Sequence, residues 1–168
     1  MIENGAVTMA KDVDEMTKEE VLDRIIRLGF DGDRRRFKRF CKAMQEGLPE
    51  GTGVALRGSV VTNERYEDGS PFDANGKGTS DLDVTLIGSK VMECWDPDAF
   101  YIPGLHTKPL GDKDPDIAPS LNKLRTRLQR MARRPVNFQA TSNLVLFARD
   151  VLFNQPYFTI INEAEGES

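Results

Sequence analysis

Apolar residues recur with two different periods along the chain, and the switches between them lay out its elements. Val21, Leu22, Ile25, Ile26 and Leu28 fall at helical spacing, the apolar stripe of an amphipathic helix. Thr17, three residues ahead of Glu20, forms a capping box that fixes where this helix begins. Gly29 and Gly32 interrupt the pattern. A second helix resumes at about Asp33, with Phe37, Phe40, Cys41 and Met44 on one face and the basic run from Arg34 to Arg39 opposite. Gly47, Pro49, Gly51 and Gly53 close it in a turn. The period then changes to two. Val54 to Arg57 is a short strand running into Gly58-Ser59. Asp81 to Ile87 alternates, with Leu82, Val84 and Leu86 on one face and Asp81, Asp83 and Thr85 on the other. Residues 60–79 between them read as loop, broken by Gly69, Pro71, Gly76 and Gly78, with room for a hairpin that uses Val60-Val61-Thr62 and Phe72.

Ser89 to Asp116 is a long irregular stretch punctuated by Pro97, Pro103, Pro109 and Pro115, and connections of that length are usually functional or mobile. A helix follows from about Pro119 with Leu121, Leu124, Leu128 and Met131 inward. Pro135 ends it, and Val136 to Ala140 is a third strand. Ser142-Asn143 caps a short helix through Leu152, and Tyr157 to Ile161 is a last strand. Helices and short strands mixed in this way predict one α+β domain over 17–162, with a flexible tail over 1–16 and an acidic tail over 163–168.

Charge and composition narrow the function. The net charge of −4 removes any global electrostatic case for nucleic acid. The basic residues are unevenly placed, however: Lys123, Arg127, Arg130 and Arg134 form one narrow stripe on the helix after Pro119. Such a stripe is a solvated helix surface or a receiver of phosphates, from a nucleotide or an RNA. No apolar run reaches membrane-spanning length, so no membrane partner is expected. The start of the chain lacks the pattern of a secretory signal. Two scattered cysteines, Cys41 and Cys94, read as buried thiols in a reducing, cytoplasmic setting. His106 is the only histidine, which leaves little basis for a zinc site or a Ser-His triad. It reads as a solvated loop residue, or as a loop residue near a nucleotide. Chemistry therefore falls to carboxylates and an oxygen-ligated metal.

Asp81 and Asp83 share one strand face about 7 Å apart. Carboxylates held this way repel unless a cation joins them, and Mg²⁺ (or Mn²⁺) suits one or two carboxylates plus substrate phosphates. Gly58 comes directly off the other strand and lets backbone approach a ligand, while Ser59 can hold a phosphate oxygen. Arg57 either neutralises a phosphate or forms a surface ion pair.

A strand ending in Gly58-Ser59, a spacer, and then Asp81-x-Asp83 on the next strand resembles the signature of the DNA polymerase β-like nucleotidyltransferase superfamily. The longer surroundings, Leu56 to Thr62, Pro71-Phe72, Ser80 to Val84 and Pro135 to Phe138, are similar to compact bacterial nucleotidyltransferase-domain proteins. The resemblance implies a small mixed sheet flanked by helices, behind an N-terminal helical pair. It implies an NTP held by Arg57, Gly58, Ser59, Thr79 and Ser80, a magnesium ion on catalytic Asp81 and Asp83, and transfer of an NMP to an acceptor hydroxyl on RNA, protein or a small molecule. Two departures accompany it. The spacer before Asp81 is longer than the family's, implying an inserted hairpin. The strand that should carry a third carboxylate offers Asn137 and Gln139 instead. An amide oxygen, as of Asn137, can be a third metal ligand but brings no charge, and Asp114 or Asp116 are substitutes from the long loop. The alternative is a catalytically impaired nucleotide-binding or protein-interaction module, within a toxin–antitoxin or defence pair.

Overall fold

A computed structural model describes residues 12–163; the outer part of the expected N-terminal tail and most of the acidic tail lie outside them. Helix α1 (Lys18–Phe30) opens on the capping box, Thr17 Oγ1 accepting from the Glu20 amide at 3.1 Å and Glu20 Oε1 from the Thr17 amide at 2.9 Å. It ends at Asp31, which takes the left-handed conformation. Helix α2 (Arg34–Gly47) is capped by Asp33. Ahead of α1, Val13–Glu15 is a 3₁₀ turn, and Val13 and Met16 pack against the core. Ordered contacts thus extend into the segment expected as tail.

Six strands make one sheet. In chain order they are β1 (Gly53–Arg57), β2 (Leu82–Ile87), β3 (Phe100–Ile102), β4 (His106–Thr107), β5 (Val136–Thr141) and β6 (Tyr157–Ile161). Their spatial order is β3-β4-β5-β2-β1-β6. β2 runs parallel to β5 and antiparallel to β1, so the sheet is mixed. The architecture is α+β, a six-stranded mixed sheet flanked by helices. Among the described residues no helix is long and apolar enough to cross a membrane.

The strands' period of two gives each face a separate job. Leu56, Leu82, Val84, Leu86, Val136 and Phe138 join a core with Ile25, Phe30, Phe40, Met44 and Leu128 from α1, α2 and α5 (Pro119–Ala132). Phe30 sits edge-on to Phe37 and Phe40, with centroids 5.2 and 5.1 Å away. The opposite face carries Arg57, Asp83, Thr85, Asn137, Gln139 and Thr141. Helix α6 (Leu144–Asp150) places Phe147 beneath the Arg57 guanidinium, 5.5 Å from the ring centroid.

Two expectations for the connections are corrected. Val60-Val61-Thr62 is not a strand of a hairpin but part of a one-turn helix, α3 (Ser59–Thr62). β-Branched residues favour strands, yet here both valines are fully buried beside α1, where Gly29 leaves room for Val60. The Arg24 guanidinium donates to the Val61 carbonyl at 2.9 Å and holds the turn. The stretch from Ser89 to Asp116 is also less irregular than its prolines suggest. It contains α4 (Ser89–Met92), β3, β4 and a bridge from Leu110 to Phe138.

Candidate active site

β1 ends where the chain must turn sharply across the start of β2. Gly58 does this at φ 81°, a left-handed value that favours glycine. A Cβ at Gly58 would lie 3.0 Å from Asp83 Oδ2, so the glycine also brings the backbone against the carboxylate. Gly58, Ser59, Thr79, Ser80, Asp81 and Asp83 line one cleft of about 210 Å³. Asp83 lies on β2 opposite Arg57 of β1, and Asp81 immediately precedes the strand.

Asp81 is positioned by an anchored loop. The Arg134 guanidinium, buried at 6% exposure, donates to Asp73 Oδ1 at 2.8 Å, Asp73 Oδ2 at 3.2 Å and the Ser80 carbonyl at 3.1 Å. It reaches the Gly29 and Leu28 carbonyls at 3.2 and 3.3 Å and lies over the Phe72 ring at 4.7 Å. Asp73 Oδ1 accepts from the Ser80 amide at 2.9 Å, and Ser80 Oγ from the Asp73 amide at 2.7 Å. The loop is thereby clamped to the end of α1 one residue before Asp81. Ser80 serves partly as a structural brace.

β5 supplies the remaining partner. Its parallel register sets Asn137 beside Asp83. Asn137 Nδ2 donates to Asp81 Oδ2 at 2.8 Å and to Asp83 Oδ1 at 3.1 Å. One neutral amide thus stands between both carboxylates. On its far side, a Cβ at Gly111 would come within 2.6 Å of Asn137 Oδ1, so the loop fits closely against the amide only because residue 111 is glycine. Burial raises the Asp81 carboxyl above its ordinary 3.8 even though the side chain keeps contact with solvent. The Asn137 hydrogen bond opposes this, and the charges of Asp83, Asp112 and Glu67 add to it.

The two carboxylates of Asp81 and Asp83 would supply part of a magnesium donor set that phosphate oxygens would complete. The point on which their oxygens converge, however, is taken by the Asn137 amide nitrogen, a donor that cannot ligate a metal, while Asn137 Oδ1 is turned toward Gly111. The residues do not fit two cations well. Among the described residues no three His, Cys, Asp or Glu side chains cluster as a metal site. The substitutes for a third carboxylate do not supply one: Asp114 lines a separate hollow with Asp96 and Asp98, and Asp116 is exposed and outside the cleft lining. Asp112, whose charge reaches Asp81, pairs with the buried Arg125 at 3.0 Å.

Several sequence expectations need revision. Arg57 does not line the cleft among the described residues. It donates to Thr85 Oγ1 at 3.1 Å and to Gln139 Oε1 at 3.0 Å, two neutral partners on the sheet face, in place of the expected surface ion pair or phosphate contact. Burial lowers its pKa from the ordinary arginine value, with Asp83 opposing the shift. Gln139 is buried and also donates to the Thr107 carbonyl at 2.7 Å. Arg134 does not belong to a solvated stripe, since it lies beyond α5 and is buried. Lys123, Arg127 and Arg130 remain exposed. Arg36, grouped with an outward basic face, is buried and pairs with Asp31 at 3.1 Å. His106 is fully buried rather than solvated. Its Nδ1 lies 2.9 Å from Thr141 Oγ1 and its Nε2 3.0 Å from Asp150 Oδ2, tying α6 to the sheet. Both cysteines are free and partly buried, and burial pushes the Cys41 thiol up to about 11.

Sequence reading missed Arg125, which is 1% exposed and donates to Asn122, Gln129 and the Val136 carbonyl. Its position on the inward side of α5, between Leu121, Leu124 and Leu128, was the available signal. No family model, no curated protein and no solved structure matches the chain.

Proposed function

We propose that this domain has a nucleotidyltransferase-like fold and binds a nucleoside triphosphate with one Mg²⁺ or Mn²⁺ for transfer of its NMP group to an acceptor hydroxyl. The observation that carries the reading is the convergence of Asp81 and Asp83 beside Gly58-Ser59 in one cleft. In the proposed step the acceptor oxygen bonds to the α-phosphorus, its bond to the β-phosphate bridging oxygen breaks, and pyrophosphate leaves. The acceptor proton passes to solvent. A bound cation would neutralise phosphate charge and hold the triphosphate. The chain's part is to fix two carboxylates through β2 and the Arg134 clamp, and to bring the Gly58 backbone close. RNA remains a candidate acceptor through Lys123, Arg127 and Arg130, which are exposed on one helix.

A second reading, a nucleotide-binding module without transfer, is favoured by Asn137. Its neutral amide occupies the position beside Asp83 where a third carboxylate would help hold a second cation. Calorimetry with ATP and GTP, with and without Mg²⁺, tests binding in wild type and in the Asp81→Ala, Asp83→Ala double variant. Binding should require the metal and vanish in the variant, whose melting temperature should change little because two like charges are removed together. Unchanged binding would eliminate the site. Incubation with each labelled NTP, metal and cell extract then separates transfer of label from binding alone.

A further inference from the structure

The longer connection between Ser59 and Asp81 is not a slack insertion. Asn63 Oδ1 accepts from the Phe72 amide at 3.0 Å, closing the base of a loop. Arg65 and Ser70 close it again: the Arg65 amide donates to the Ser70 carbonyl at 2.7 Å, and the Gly69 amide to the Arg65 carbonyl at 2.8 Å. Asp68 Oδ1 accepts from both the Ser70 amide and hydroxyl, at 2.9 and 2.6 Å. The Phe72 ring beyond the base is buried under the Arg134 guanidinium. The tip, Tyr66 to Gly69, is therefore presented by a braced support.

Tyr66 stands at that tip, 76% exposed, yet it lines the same cleft as Asp81 and Asp83. An aromatic ring held in water gains nothing for the fold. Placed over a polar cleft, it offers a flat apolar face to whatever enters. Glu67, the next residue of the tip, lines this cleft as well, so the tip borders the same hollow as the carboxylates. Arg65, at the start of the turn, supplies the only cation among the described residues of the cleft.

We infer that the Tyr66 loop is the base-recognition wall of the cleft, stacking the nucleobase of a purine nucleoside triphosphate while Arg65 faces its phosphates. This rests on the cation–triphosphate reading above. A ring face selects by contact area rather than by hydrogen-bond pattern, so a purine gains more than a pyrimidine. Since the side chain is mostly in solvent, Tyr66→Ala should leave the melting temperature unchanged.

The test is calorimetry in Mg²⁺ with ATP, UTP and inorganic tripolyphosphate, on wild type, Tyr66→Ala and Tyr66→Phe. Wild type should bind all three, with ATP ahead of UTP. Tyr66→Ala should lose roughly tenfold to a hundredfold for ATP, the range of one base–aromatic stack, with tripolyphosphate unchanged. Tyr66→Phe should retain ATP affinity. If ATP affinity survives Tyr66→Ala while tripolyphosphate still binds, the stacking role alone fails. Equal wild-type affinity for ATP and UTP overturns the purine assignment. An equal loss of ATP and tripolyphosphate would assign Tyr66 to the phosphates and overturn stacking. If neither ATP nor tripolyphosphate binds wild type, the underlying triphosphate reading fails and takes this inference with it.

Discussion

Asn137→Asp changes one atom's chemistry where the site is most sensitive. The amide nitrogen now donates to Asp81 at 2.8 Å and Asp83 at 3.1 Å. An aspartate would replace those donors with a third negative oxygen at similar separations. At an effective dielectric near 20, like unit charges about 4 Å apart repel by about 4 kcal/mol. Proton uptake caps the penalty, because protonating an ordinary carboxyl at about pH 7 costs about 4 kcal/mol. Solvent contact at Asp81 screens part of the repulsion. The expected net loss is therefore about 2–3 kcal/mol without metal, or roughly 5–10 °C in melting temperature for a domain of this size. The loss should shrink as pH falls toward 5, where the cluster takes up its proton at little cost. If transfer is the native activity, millimolar Mg²⁺ should restore the melting temperature and the new carboxylate should raise metal affinity or turnover. If the domain only binds nucleotide, magnesium should restore less and affinity should not improve. Thermal melts at two pH values, with and without Mg²⁺ and ATP, read all of this. An unchanged melting temperature at neutral pH without metal would refute the bridging role of the amide.

Gly58→Ala should cost about 1–3 kcal/mol and weaken nucleotide binding, since its φ of 81° is strained for alanine and the new Cβ would crowd Asp83 Oδ2 at 3.0 Å; urea denaturation with wild-type stability would contradict it. Arg134→Ala should cost about 3–5 kcal/mol, because it leaves Asp73 and three backbone carbonyls without their donor, and a loss below about 1 kcal/mol in urea would contradict the clamp. Burial alone would raise the Asp73 carboxyl, but hydrogen bonds from Arg134, Ser80 and Gly78 outweigh it and hold the group below its ordinary 3.8. The contribution of this depressed acid is complete above about pH 4 and disappears as pH falls through the folded value, so the wild-type advantage over Arg134→Ala should narrow in acid denaturation.

How much of this was legible in the chain follows from the range of the interactions involved. The capping box at Thr17 and Glu20 acts within one turn, and the alternation of Leu82 to Ile87 is a local pattern, so both elements could be placed from the sequence. Gly58-Ser59 and Asp81-x-Asp83 were likewise visible as a spaced pair, and the structure brings them into one cleft. His106 was not legible, because its burial depends on Thr141 and Asp150, which lie far along the chain and meet it only through β5 and α6. Arg134 extended an apparent surface stripe by helical spacing, but the helix stops at Ala132 and a left-handed Arg133 turns Arg134 inward. Val60 and Val61 carried a strand preference that packing against α1 overrode.

Four arginines, three buried and Arg57 half-buried, also constrain how the cleft handles charge. Arg24 is spent on the Val61 carbonyl, Arg57 on Thr85 and Gln139, Arg125 on Asp112 and Val136, and Arg134 on Asp73 and Ser80. Each holds an element that shapes the site: α3, the β1–β2 polar face, the start of β5, and the loop before Asp81. The described cleft lining keeps one cation, Arg65, against Glu64, Glu67, Asp81 and Asp83. A bare triphosphate would meet net negative charge there, and Arg65 alone cannot offset it. On the proposed reading, phosphate binding at this cleft would depend on a divalent cation that Asp81 and Asp83 would hold, whereas a site with its guanidiniums turned outward could have bound phosphate without one. Removing metal should then abolish nucleotide affinity rather than merely reduce turnover, and residual metal-free binding would have to use a surface other than this cleft.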